Sequence, residues 1–217
     1  MATLDALYDA LVNLDENRTL ELAKNALATG DTTPLMMLNT CQQALKMVGE
    51  RYERGEYYLT ALVMAGELFQ EVLELTPPLP APTTPAKPSG RIVLGTVRGD
   101  IHDIGKNLFA TAMQSQGFDV IDLGVDVPKE RFFEEVRKHH PDVVCLSGLI
   151  LAAFESMKAT TRLLRSGEKE IGYKPPIVIG GGTVDADICS FVGADSWSTD
   201  AMEGVRMCQR LVNRAGY

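Results

Sequence analysis

A single histidine stands between two carboxylates in the string Val97-Arg98-Gly99-Asp100-Ile101-His102-Asp103-Ile104-Gly105-Lys106-Asn107. An imidazole beside a carboxylate serves a metal site or acid–base chemistry, because a proton anchored on one ring nitrogen leaves the other nitrogen available. The plain alternative is a solvated histidine in a polar loop. Gly105-Lys106 also suggests the end of a phosphate-binding loop, but the spacing fails. Five residues separate Gly99 from Gly105, where such a loop has about four. Asn107 stands where a Ser or Thr would hold magnesium. Two further strings carry small or hydroxyl residues, Leu146-Ser147-Gly148-Leu149 and Ile179-Gly180-Gly181-Gly182-Thr183. Three glycines and a hydroxyl leave room for a bulky flat or extended ligand, since glycine lets backbone and ligand approach closely. Any one of these loops alone reads equally as a strand-to-helix turn.

The elements around them decide between these readings. From Arg91 onward, β-branched runs at Arg91–Val97, Phe118–Leu123, Asp142–Ser147, Ile177–Ile179 and Ala194–Trp197 alternate with helix-like stretches at Asn107–Gln116, Lys129–His139, Ala152–Ser166 and Ala201–Val212. That alternation predicts right-handed βαβ units and a five-stranded parallel sheet covered on both faces, of Rossmann-like (flavodoxin-like) type. Ligands of such sheets bind at the carboxyl ends of the strands, where the three strings lie. Residues 1–75 show only helical spacing (Leu4, Leu7, Leu11; Leu35, Leu38, Cys41, Leu45; Leu59, Leu62, Gly66, Phe69, Leu73) and predict a small four-helix bundle. Between the halves, residues 76–90 hold six of the eleven prolines and read as an extended linker. Met36, Met37, Met47 and Met64 fall on apolar helical faces and are expected in the core.

With 217 residues, 45% apolar and 23% charged, the chain has the composition of an ordinary globular protein, which excludes disorder over most of its length. No apolar run is long enough to span a membrane. The acidic, amphipathic N-terminus does not read as a secretory signal, so a cytoplasmic location is expected. A net charge of −8, of which −7 lies in residues 1–75, argues against gripping a nucleic acid. The acidic half suits either a basic partner or a solvated surface. Cys41, Cys145, Cys189 and Cys208 form no CxxC pair, and Cys145 reads as a buried small hydrophobe.

Asp100-x-His102-x-x-Gly105, then Ser147-x-Leu149, then Gly180-Gly181 resembles the cobalamin-binding signature of corrinoid proteins and of cobalamin-dependent methionine synthase. The wider strings GDIHDIGKN, DLGVDVP and LSGLI fit it, and VGERYERGEYYLTALVMAGELF (residues 48–69) resembles the helical cap of those methyltransferase modules. The resemblance implies a cobalamin bound with its own base displaced and His102 as the metal's lower axial ligand. Asp100 would accept the other imidazole N–H, and Ser147 would hydrogen-bond Asp100. Gly105, Gly148, Gly180 and Gly181 would line a slot for the nucleotide tail. Asp103, Ile104, Leu149, Gly182 and Thr183 would complete the cofactor contacts, and Tyr52 and Leu59 would pack over the upper corrin face. The family usually has Phe at the position of Tyr52, and residues 167–176 are longer than usual.

The function so implied is that of a methyl carrier, not a complete enzyme. A substrate:corrinoid methyltransferase would load the methyl group, and a second methyltransferase would pass it to a folate or a thiol. A reductive activase would be a further partner. The linker would let the cap swing aside. Three rivals remain at this level: a cobalamin-dependent sensor, which usually adds a DNA-binding module; the small subunit of a cobalamin mutase, which ordinarily lacks the cap; and a generic nucleotide-binding domain.

Overall fold

The computed structural model describes residues 2–30, 32–77 and 88–215, so most of the predicted linker lies outside the described residues. Two compact units divide the chain, Met1–Ala81 and Pro82–Tyr217.

The first unit is all helical: α1 (Ala2–Val12), α2 (Glu16–Thr29), α3 (Pro34–Glu53) and α4 (Leu59–Leu75). Their starts follow from capping chemistry. Asp15 accepts a hydrogen bond from the Arg18 amide, Thr33 accepts one from the Met36 amide, and Pro34 sits at the first helical position. Leu7, Leu11, Met37, Leu38, Cys41, Val48, Phe69 and Val72 are almost wholly buried and form the bundle core. The methionine expectation holds for Met37 but not for Met36 and Met64, which are 50% and 43% exposed. On each helix they lie just past the edge of the buried stripe, where periodicity alone does not separate core from rim.

The second unit is a five-stranded parallel sheet, β1 (Arg91–Thr96), β2 (Asp119–Asp122), β3 (Val143–Ser147), β4 (Ile177–Gly180) and β5 (Ser196–Ser198), in the order β2-β1-β3-β4-β5. Helices α5 (Ile104–Ser115), α6 (Lys129–His139), α7 (Leu151–Ser166), α8 (Glu168–Ile171), α9 (Ala186–Val192) and α10 (Ala201–Ala215) connect or follow the strands. The residues read as an overlong stretch at 167–176 include the short helix α8. Helix α9, after the glycine-rich turn, was not expected. Helix α5 begins at Ile104, three residues before its expected start, so it follows His102 almost directly.

Side-chain alternation assigns the two faces of the sheet. Val93, Val144, Leu146, Ile177 and Ile179 join Phe132, Phe154 and Met157 in one core, with Trp197 packed against it. A Cβ on Gly95 would meet the Phe132 ring at 2.9 Å, so Gly95 also faces α6. The next residue in each strand faces the other way. Cys145 lies 3.8 Å, sulfur to sulfur, from Cys208 of α10. All four cysteines are free and buried.

Candidate functional site

Strand register sets Thr96, Ser147, Gly180 and Ser198 side by side at the carboxyl ends of β1, β3, β4 and β5. A row of hydroxyls and one glycine makes a low rim on the α5–α10 side of the sheet. The loops that leave this rim carry most of the candidate residues.

Beyond β1 the backbone turns at Gly99 (φ +85°) and delivers Asp100 into the interior, where its side chain is 0% exposed. A buried carboxylate must be satisfied by donors, and four reach this one. Oδ1 accepts from the His102 amide at 3.0 Å and faces His102 Nδ1 at 2.6 Å. Oδ2 accepts from the Leu149 amide at 2.6 Å and the Ile150 amide at 3.3 Å. Burial alone would raise the Asp100 carboxyl pKa. The bonds from Leu149, from the His102 amide and ring, and from Ile150 outweigh it and hold the group below the usual carboxylate value. An ionised carboxylate has no proton to give, so Nδ1 is the donor, and in the neutral ring that leaves the lone pair on Nε2. Nε2 has no hydrogen-bond partner among the described residues, and the imidazole side chain is 54% exposed. Asp100 therefore orients a ring that presents one unencumbered nitrogen.

The expected hydrogen bond from Ser147 to Asp100 is not formed. Both carboxylate oxygens are taken by Leu149, Ile150 and His102, and Ser147 contributes its carbonyl, which accepts from the Val97 amide at 3.0 Å. Backbone amides two and three residues beyond the serine hold the carboxylate instead.

The three loops are tied to one another. The Gly148 amide donates to the Gly180 carbonyl at 3.0 Å, and the Thr183 hydroxyl donates to the Leu149 carbonyl at 2.7 Å. Gly181 (φ +151°) passes so close to Gly148 that a Cβ would overlap the Gly148 carbonyl oxygen at 1.9 Å. Gly182 is looser, its Cβ position 3.4 Å from Leu149 Cδ1. The absent Cβ of Gly148 points at Ala153 and Met157, 2.7 and 2.9 Å away, so this glycine makes room for α7.

At the start of α5, Asp103 is the N-cap residue, and its Oδ2 accepts from Asn107 Nδ2 at 3.0 Å. Ile104 and Gly105 form the first turn and are half-buried. Lys106 is buried and bonded to Asp122, so it does not serve an exposed phosphate loop. Asp126 holds the Gly99 amide at 2.7 Å. In the helical unit, Tyr52 near the end of α3 and Leu59 at the start of α4 are 41% and 64% exposed.

Sequence reasoning passed over Ile101, Ile150 and Leu151. They flank the Asp100–His102 pair and its amide donors, yet Ile101 is 73% and Leu151 83% exposed. The available signal was their position, apolar residues in strand-end loops that are otherwise polar or glycine-rich.

Comparisons with known proteins identify the family of both units. A family model described as a B12 binding domain matches residues 90–206, and a second of the same description matches residues 3–76. A corrinoid protein of Desulfitobacterium hafniense (strain Y51) is 30% identical over 99% of each chain. Among solved structures, a monomethylamine corrinoid protein of Methanosarcina barkeri is 30% identical with a TM-score of 0.76, covering 97% of this chain and 98% of that one. A cobalamin-binding protein from Desulfitobacterium hafniense DCB-2 is 37% identical with a TM-score of 0.55, covering 96% and 98%.

Proposed function

Because the chain belongs to the corrinoid proteins of the methyltransferase type, built on B12 binding domains, we propose that it carries a methyl group on the cobalt of a bound cobalamin. The methyl would pass from a substrate:corrinoid methyltransferase to a second methyltransferase acting on a folate or a thiol. A reductive activase would be a third partner. A methylamine is one candidate donor, since one similar solved structure is a monomethylamine corrinoid protein.

The observation that carries this reading is the His102 ring, anchored at Nδ1 on a buried carboxylate with Nε2 unpartnered among the described residues. A neutral imidazole suits a transition metal, and a carboxylate behind it raises its basicity. His102 would be the lower axial ligand, taking the place of the cofactor's own base. The chain's other residues fit a flat ring over a deep tail. Ile101, Ile150 and Leu151 offer apolar surface around the imidazole. The rim of Thr96, Ser147, Gly180 and Ser198 keeps side chains small where a nucleotide would enter. Gly181, Gly182 and Thr183 border that rim, and Asp103, Ile104 and Gly105 border the histidine. For the helical unit, the reading assigns Tyr52 and Leu59 to contact with the corrin.

The test is the absorption spectrum of the full chain reconstituted with methylcobalamin, beside His102→Ala. We expect the wild type to retain the corrinoid with a histidine-ligated spectrum. The variant should lose that spectrum and bind roughly 10–100-fold more weakly. Identical spectra and affinities would remove His102 as the ligand, and no retained corrinoid in either protein would end the carrier reading.

A further inference from the structure

The cofactor reading gives no task to the buried cation Lys106. Its side chain is 3% exposed and lies in the first turn of α5, where the helix dipole disfavours positive charge. Lysine is almost never fully buried unless paired. Here Nζ donates to Asp122 Oδ2 at 2.5 Å and to Asn107 Oδ1 at 2.7 Å. A buried ion pair is weak evidence for stability, since well-packed apolar replacements are often as stable or more so. Its geometric reach is more telling, because hydrogen bonds lead from it to both sides of His102.

On one side, Asn107 Nδ2 donates to Asp103 Oδ2 at 3.0 Å and the Asn107 amide to the Asp103 carbonyl at 2.7 Å, fixing the residue that follows His102. On the other, Asp122 Oδ1 accepts from the Gly124 amide at 2.9 Å, and the Gly124 carbonyl accepts from the Thr96 amide at 2.9 Å. The Thr96 hydroxyl, fully buried, donates to the His102 carbonyl at 3.0 Å. Asp100 thus orients the ring, while this second network holds the backbone from which the ring projects.

We propose that Lys106 is a positioning residue: by joining the end of β2 to the first turn of α5, its pair with Asp122 sets the backbone of His102 and so the direction of its free nitrogen. The inference rests on the reading of His102 as the cofactor's ligand, but its first readout needs no cofactor. Histidine-ring nitrogen NMR of the full apo chain, with His102 assigned by its loss in His102→Ala, reports the bond to Asp100. The variant is the double substitution Lys106→Met with Asp122→Asn, which leaves no uncompensated charge. Thr96→Val, close in shape, severs the second route at one hydroxyl and serves if the double variant does not fold. Arg165→Met, which removes the Arg165–Asp195 pair at the far edge of the sheet, controls for general loss of stability.

We expect the His102 ring signal to move toward that of a solvent-exposed histidine in the double variant and in Thr96→Val, and to stay in place in Arg165→Met. Methylcobalamin should bind the double variant roughly 10-fold more weakly, with less histidine-ligated spectrum. An unmoved His102 signal in the folded variants overturns the proposal, as does an equal movement in the control. If the signal moves as expected while wild type retains no corrinoid, the positioning role stands and the cofactor reading falls.

Discussion

The amide of Leu149 donates to Oδ2 of Asp100 at 2.6 Å across 49 residues of chain. The carboxylate that orients His102 therefore also fastens the loop after β3 to the loop after β1. Asp100→Asn keeps the shape but offers one acceptor oxygen, so either the two amides or the imidazole must face an NH2 group. We expect a loss of about 1–3 kcal/mol of unfolding free energy and a fall in corrinoid affinity of roughly 10–100-fold. Urea denaturation and titration with methylcobalamin read the two effects, and a variant indistinguishable from wild type in both would count against this account.

The same carboxylate predicts a pH dependence. Its folded pKa lies below the usual value, and that of the unfolded chain is about 3.9. The folded state thus holds fewer protons as acid is added. The stabilisation is present above the unfolded value and is lost as pH falls through the folded one. The urea midpoint of wild type should drop more steeply than that of Asp100→Asn between about pH 5 and pH 3. Parallel curves would contradict the assignment.

Two neighbouring glycines should respond differently to alanine. At Gly181 the new Cβ would overlap the Gly148 carbonyl at a positive φ, whereas at Gly180 it would meet only the Ser198 carbonyl at 3.7 Å. Gly181→Ala should cost at least about 2 kcal/mol, because backbone has to move. Gly180→Ala should fold with little loss of stability but bind cobalamin more weakly, since it raises the rim where the nucleotide would pass. Thermal melts with and without methylcobalamin separate the two behaviours.

Leu151 offers a test of the apolar surface. At 83% exposure its side chain contributes little to folding, so Leu151→Ser should change unfolding free energy by no more than about 0.5 kcal/mol. If the corrin rests there, affinity for methylcobalamin should fall by roughly 3-fold or more, the equivalent of losing a modest apolar contact area. Unchanged affinity would place the ring elsewhere.

What the sequence displayed, and what it concealed, follows from the range of the interactions. Strand runs such as Val143–Ser147 and helices such as Lys129–His139 were legible because their patterns are local. The short α9 was missed. Seven residues give periodicity little to work with, although Asp185, which caps it by accepting from the Ile188 amide, was a visible signal. The residues alone offer Asp100 and Asp103 alike as partners of His102; the family resemblance singles out Asp100, and in the structure Asp103 bonds Asn107 instead. The resemblance implies Ser147 as a partner of Asp100, whereas the donors from that loop are the Leu149 and Ile150 amides, and backbone amides leave no mark in a sequence. Lys106 does not fit a phosphate loop, and its burial is illegible in the sequence because its partner Asp122 comes from β2, 16 residues along the chain.

The buried cysteines have a consequence for cargo. Burial pushes the Cys41 thiol up to about 12, the contact with Cys208 and burial raise Cys145, and burial with the nearby Asp195 carboxylate raises Cys189. Sulfur attacks a carbon electrophile as thiolate rather than thiol, and Cys208 is itself wholly enclosed. On the proposed carrier role, these thiols are poor acceptors for an activated methyl group. The same burial that packs them into the two cores withdraws four nucleophiles from solution.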